Sequence, residues 1–319
     1  MSVHELPQLS GERMFITDGG METVLIFHHG IDLPCFASFT LLADAEGIEL
    51  VRSYFDDYFA VARERDLGLL LDTLTWRASR DWGEQLGYSP ADIAGVNRRA
   101  VALAQEIRTQ HEPDGVPVAI AGCVGPRRDA YAASAVMSPA EAELYHSAQI
   151  EALAEAGADF VSALTLTNAS EAVGIARAAE AAGIPAAISF TVETDGRLPT
   201  GQPLRSAIED TDAATDASPA YYMINCAHPT HFADVLEGGA WLERIRGVRA
   251  NGSPKSHAEL DESDELDSDE PGELAAGYRS VFERLPNLSV VGGCCGTDHR
   301  HVAAAANACL APVPPSRSS

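Results

Sequence analysis

Positive charge is what this sequence has least of: 22 Lys and Arg stand against 47 Asp and Glu, a net charge of −25 over 319 residues. Binding through nucleic-acid phosphates or to anionic lipid needs a basic face, so both are excluded as main partners and small molecules are expected instead. Long apolar runs are missing as well. No stretch approaches the roughly 18 consecutive apolar residues of a membrane-spanning helix, and the opening Met1–Phe15 has no hydrophobic signal region, which points to a soluble, cytoplasmic protein. A GxGxxG fingerprint after a strand is absent, which argues against a Rossmann-type adenosylmethionine site. Six cysteines are too few for a disulfide scaffold in a chain of this length, and in a reducing compartment the question becomes which of them meet a metal.

What is present is size, periodicity and one dense motif. A chain that is 46 % hydrophobic can bury a full core, and no composition break divides it. Short β-branched or apolar runs alternate with longer Ala/Glu/Arg-rich stretches of helical period, the pattern of repeated βα units. The runs predict eight strands: Met14–Thr17, Leu69–Thr73, Val118–Gly122, Phe160–Thr165, Ala187–Val192, Tyr222–Cys226, Ile245–Ala250 and Leu288–Gly292. Each is followed by a helix candidate, of which Ala140–Ala156 and Ser170–Ala182 have the clearest end signals. Eight units predict an α/β fold, a single (β/α)₈ barrel of the TIM type spanning residues 1–310, with a disordered tail at 311–319.

A barrel places its chemistry where strands end and βα loops begin. The unusual residues fall there: Asp18-Gly19-Gly20, Gly122-Cys123, Asn225-Cys226, Asn251-Gly252 and Gly292-Gly293-Cys294-Cys295-Gly296. Neighbouring side chains of an extended strand point to opposite faces, so Cys294 and Cys295 can converge on one ion only where the chain turns sharply, and the flanking glycines permit that turn. Cys226 supplies a third thiolate from the end of strand six. Three thiolates with one open position form the catalytic type of zinc site, and soft sulfur donors favour zinc over magnesium or calcium. A vicinal disulfide is the competing reading of the pair. Cys35, Cys123 and Cys309 read as packing residues. Asn225 is either a support for the thiols or a strand-end cap, and His228 a helix cap, a solvent-facing residue or a transient ligand.

At these positions the chain resembles the homocysteine S-methyltransferase family, which includes the betaine-dependent enzymes and the thiol-activating domain of cobalamin-dependent methionine synthase. The matching elements run nearly the whole length, in order: Thr17-Asp18-Gly19-Gly20-Met21, Gly122-Cys123-Val124-Gly125-Pro126, Ala154–Asp159, Ile188–Val192, Asn225-Cys226 and Gly292–Thr297. The resemblance implies a barrel with zinc at its C-terminal mouth on Cys226, Cys294 and Cys295, Asp18 near the amino group of a homocysteine-like acceptor, and a role in methionine biosynthesis. Substrate-binding candidates are Asp18, Gly19 and Asp72.

A free thiol, with a pKa of about 8.5, is mostly protonated at neutral pH, and zinc would deprotonate it for attack on an onium methyl. Transfer dissipates the donor's charge, so no general acid is nominated. No cobalamin or folate domain is visible, which favours a self-contained donor: S-methylmethionine, S-adenosylmethionine or betaine. Where relatives carry Glu-Thr-Asn-Thr-Tyr after strand two, this chain has Asp72-Thr73-Leu74-Thr75-Trp76, and where they carry a Glu at the end of strand four it has Leu164. That neutral residue removes a partner for the acceptor's ammonium. It points to another small thiol, or a selenol, recognised by Asp18 and Asp72. The acidic run Glu259–Glu270 lacks the glycine and spacing of an EF-hand and reads as a solvated, mobile loop that can act as a lid. Two alternatives remain at this stage: a zinc-thiolate hydrolase with Glu193 or His228 as base, and a metal- or redox-responsive binding protein.

Overall fold

The computed structural model describes residues 6–128, 130, 136–261 and 266–311. Eight parallel strands close into a barrel in sequence order: β1 (Phe15–Ile16), β2 (Gly68–Asp72), β3 (Val118–Val124), β4 (Phe160–Leu166), β5 (Ala186–Phe190), β6 (Tyr221–Asn225), β7 (Ile245–Ala250) and β8 (Val290–Gly293). The last strand pairs with the first, Phe15 opposite Val290 and Ile16 opposite Val291. Every expected strand is present, with ends within about two residues of their predicted positions for most of them, because strands covered on both faces read as continuous apolar runs.

The two-residue side-chain alternation sorts each run into two layers. On β2, Leu69 and Leu71 join the layer beneath the helices, while Leu70 points into the barrel. The interior is filled by Phe15, Leu70, Ala121, Phe160, Tyr221 and Met223, among others, so the barrel is a packed core and not a channel. Leu6 belongs to the same interior cluster, and the neighbouring Gln8 bonds the Tyr221 hydroxyl at 3.4 Å. The opposite, C-terminal end is left for a site.

Helix starts follow local chemistry. Ser138 caps helix Pro139–Glu155 by a reciprocal box with Glu141, and Asn168 caps helix Ala169–Ala181 by accepting from the Glu171 N–H at 2.9 Å. Both helices begin one residue earlier than expected, the first because proline at the first helical position belongs to the helix, the second because Asn168 is its cap and Ala169 its first residue. One expectation fails. Strand β6 is followed by only a four-residue helix, Pro229–Phe232, and then by 3₁₀ turns at Ala233–Val235 and Ala240–Arg244. Gly238 and Gly239, both at positive φ, keep a longer helix from forming there. Among the described residues no helix is long and apolar enough to cross a membrane.

Gly68 is a tight point of the barrel wall, because a β-carbon there would lie 2.2 Å from the Phe15 ring. Gly68→Ala is expected to destabilise the fold by about 1–3 kcal/mol through overpacking, read as a lower urea midpoint with an unchanged denaturant slope.

Candidate metal centre and substrate cavity

The three cysteines meet because the chain leaves extended geometry at each. Cys226 has φ 56°, a left-handed conformation that costs a non-glycine residue of order 1 kcal/mol or more. Backbone bonds hold it there: its N–H donates to Arg249 O at 3.0 Å, and its carbonyl receives His257 Nε2 at 2.6 Å and Thr191 Oγ1 at 3.3 Å. The twist lets two consecutive residues serve one place. Asn225 Nδ2 lies 4.0 Å from Cys294 Sγ, and Cys226 Sγ lies 3.7 Å from Cys295 Sγ. After β8 the chain turns through Cys294–Thr297, with Thr297 N–H donating to Cys294 O at 3.1 Å and Gly296 at φ 75°. Gly292 is required by contact, since a β-carbon there would meet Thr17 Oγ1 at 1.8 Å.

All three sulfurs lie within 4.8 Å of one another. Sulfurs bound tetrahedrally at about 2.3 Å from one ion lie about 3.8 Å apart, so the Cys226–Cys295 separation fits a shared zinc ion. The Cys294 thiol is held well below its usual range by hydrogen bonds from Cys226 and Cys295 and by the charge of Arg249, while the same bonds and burial push the Cys226 thiol up. One thiolate is thus stabilised within the cluster by protein groups. Asn225 resolves as a support: its Oδ1 accepts from Ser189 Oγ at 2.7 Å and from Thr165 N–H at 2.8 Å, and its Nδ2 donates to Thr165 Oγ1.

Beneath the thiols opens a cavity of about 380 Å³ that Asp18, Gly19, Asp72 and Leu164 all line. Asp18 and Asp72 have a partner that no sequence pattern disclosed. Arg249, on β7, donates from Nη2 to Asp18 Oδ1 at 2.6 Å, from Nη1 to Asp72 Oδ2, and from Nε to Gly293 O at 3.3 Å, all three residues being buried. Burial pushes the Asp18 carboxyl up to about 7, against the pull of Arg249 and with the help of Asp72 and Glu22. Burial likewise raises Asp72. Burial works against the charge of Arg249, but Asp72 and Asp18 hold it protonated. Tyr54 donates to Asp18 Oδ2 at 3.2 Å and contacts the Tyr58 hydroxyl, which receives the Gly19 N–H at 3.0 Å. Arg249 and Glu22 are the site residues without advance notice. The only signal for Arg249 was a basic residue near the C-terminal end of a barrel strand, and for Glu22 its place just after the Asp18-Gly19-Gly20 loop.

His228 is buried and caps Pro229–Phe232 from Nδ1, with Asp269 on Nε2 at 3.1 Å, and therefore does not face solvent. Cys123 packs in the barrel interior and borders the cavity, Cys309 packs under the helices, and Cys35 is exposed. The acidic run is less solvated than expected where it is described. Asp269 N–H bonds Gly252 O, Ser268 Oγ donates to Gly296 O at 2.6 Å, and Leu260, Leu266 and Asp267 line the cavity. Residues 262–265, like 312–319 of the expected tail, lie outside the described residues.

The site is a closed (β/α)₈ barrel with Cys294 and Cys295 lining its C-terminal cavity and Cys226 beside them. The family model for homocysteine S-methyltransferase matches residues 15–309, and the chain belongs to that family. It is therefore a methyltransferase, in place of the hydrolytic and binding-protein alternatives. It is similar to homocysteine S-methyltransferase 4 of Zea mays, 26 % identical over 320 residues that cover 92 % of this chain and 88 % of the relative. Its fold matches the homocysteine methyltransferase MmuM of Escherichia coli. The oxidized form superposes with a TM-score of 0.73 at 24 % identity, covering 94 % and 97 % of the two chains. The metallated form gives 0.72 at 23 %, covering 93 % and 96 %.

Removing one member of a buried ion pair leaves the others uncompensated, at a cost of about 3–5 kcal/mol. Arg249→Met is expected to lose that much stability at pH 7 in urea unfolding. The triple variant Arg249→Met/Asp18→Asn/Asp72→Asn should lose less than the single one.

Proposed function

We propose that this protein transfers a methyl group from a small onium donor to the thiol of homocysteine or a close analogue, with zinc held by Cys226, Cys294 and Cys295. The observation that carries this reading is the convergence of the three sulfurs within 4.8 Å, with Cys294 and Cys295 lining the cavity. Zinc at this place would supply deprotonation of the incoming thiol, and the three protein thiolates would keep the bound sulfur electron-rich. The donor set is all sulfur, which suits that ion.

The chain's own residues position and shield. Asn225, locked by Ser189 and Thr165, sets the orientation of Cys294. The Arg249 clamp neutralises two carboxylates that would otherwise repel an anionic sulfur. Leu74, Trp76 and Leu164 supply an apolar wall, and Phe27 and Phe36 stand at its outer edge, 43 % and 49 % exposed. In a water-poor cavity a thiolate and an onium cation combine into two neutral products: the new S–CH₃ bond forms as the donor's bond to that methyl breaks, and its electron pair stays on the donor atom. No proton moves in this step, so no acid is needed. S-methylmethionine, S-adenosylmethionine and betaine are all donors of this kind. Residues 1–310 would form the methyltransferase barrel. Unprotected thiols at the rim suit the reducing cytoplasm.

The purified protein is expected to hold one zinc per chain and to methylate homocysteine with at least one of those three donors. Cys226→Ser, Cys294→Ser and Cys295→Ser should each lose zinc, measured by elemental analysis, and lose methyl transfer, with the circular dichroism of the barrel retained. Full zinc occupancy in any of the three would remove that residue from the ligand set.

A further inference from the structure

Two carboxylates of the cavity lie outside the clamp: Asp267, which Lys255 pairs at 3.2 Å, and Glu22. Glu22 lines the cavity from the short helix Met21–Thr23 that follows the Asp18-Gly19-Gly20 loop. The thiol-bearing turn itself fixes its place. Gly20 N–H donates to Thr297 O at 3.0 Å, and Thr23 Oγ1 accepts from Gly296 N–H at 3.2 Å. The residues on both sides of Glu22 are thereby fastened to the segment that carries Cys294 and Cys295, and burial, with a smaller push from Cys294, raises the Glu22 carboxyl. Ser38 Oγ holds Oε1 at 2.8 Å.

A carboxyl drawn out of water either takes up a proton or is held ionised by a cation. The guanidinium whose field reaches Glu22 is Arg249, and it is already bound by Asp18 and Asp72. Arg77, another cation on the wall, is sandwiched between Trp76 and Trp82 at 3.9 and 3.8 Å and donates to Arg128 O. The cavity therefore keeps an acidic position for a ligand's positive charge. An onium methyl is a poor candidate for it, because a carboxylate there would stabilise a charge that the transfer destroys, and so the ground state over the transition state. An α-ammonium keeps its charge throughout. In an amino-acid thiol of homocysteine's length it lies three carbons from the sulfur, so a sulfur at the cysteine cluster leaves the nitrogen beside the adjoining wall, where Glu22 stands.

We infer that Glu22 is the specificity-determining carboxylate of the acceptor site: it receives the α-ammonium of an amino-acid thiol whose sulfur lies at Cys226, Cys294 and Cys295. It supplies from the β1 loop the charge that neutral Leu164 does not offer from β4. The choice of ligand rests on the methyl-transfer reading, but the test is equilibrium binding and needs no donor.

Zinc-loaded protein is titrated calorimetrically with L-homocysteine and with 4-sulfanylbutanoate, the same thiol without its amine. The unmodified protein binds homocysteine more tightly, and Glu22→Gln cuts that preference by about 10- to 100-fold, the worth of a charge-assisted hydrogen bond. Glu22→Asp, which keeps the charge but shortens its reach, retains more of the preference than Glu22→Gln, and zinc content stays the same in both. Absence of a preference in the unmodified protein, a preference untouched by Glu22→Gln, or an aspartate variant no better than the glutamine one overturns the assignment of Glu22 while leaving methyl transfer standing. Failure of the unmodified protein to bind either thiol overturns the homocysteine reading, and the assignment with it.

Discussion

The ion cluster of Arg249 with Asp18 and Asp72 is the interaction on which the barrel's mouth depends. Arg249 stands on β7, Asp72 on β2, Asp18 just beyond β1, and the third contact, Gly293 O, lies on β8. One side chain thus braces four consecutive staves of the closed barrel, across the seam where the last strand meets the first. Buried charges are tolerable only when each finds its counterpart, so the cluster is all or nothing. With it intact, the two loops that carry Asp18 and Cys294 are held against each other. Without it, two carboxylates would face the thiols unopposed.

Above this brace the cysteines are arranged by backbone geometry more than by side-chain choice. Cys226 sits in a left-handed conformation and Gly296 in another, and each bends its strand end so that adjacent residues reach one point. The strain at Cys226 is held by bonds from three elements: Arg249 of β7, Thr191 beyond β5 and His257 at the start of the short helix His257–Asp261. Strain kept in place by its surroundings is what a preorganised centre requires. The bulge in β4 between Ala163 and Leu166, which leaves Thr165 at φ 63°, serves the same end by offering Thr165 to Asn225.

The pattern of charge in the cavity follows from a division of labour. Asp18 and Asp72 serve the arginine, while Glu22 stands apart on the turn bound to Gly296 and Thr297. Seen on the sequence alone, Asp18 and Asp72 are the conspicuous acids and Leu164 a conspicuous loss. The folded arrangement redistributes these parts, because a carboxylate's role is set by the nearest cation and that cation is more than 170 residues away in sequence from both.

What the sequence determined by itself was whatever depends on local period and local chemistry. Eight apolar runs buried on both faces, helix caps such as Ser138 and Asn168, and a glycine-flanked cysteine pair are all short-range signals, and they were enough to identify the barrel and the thiol cluster. Even Cys226 was within reach, since barrel topology brings all strand ends to one mouth. Only the tertiary structure decided the partners. Arg249 looked like any basic residue of a strand, His228 like one that could face water, and the acidic run like a free loop, until closure of the barrel put Asp18 and Asp72 beside the first, Asp269 beside the second and Gly252 and Gly296 beneath the third. Pairings between distant residues leave no periodic trace, because they are fixed by the register in which the ring of strands closes and not by any spacing along the chain.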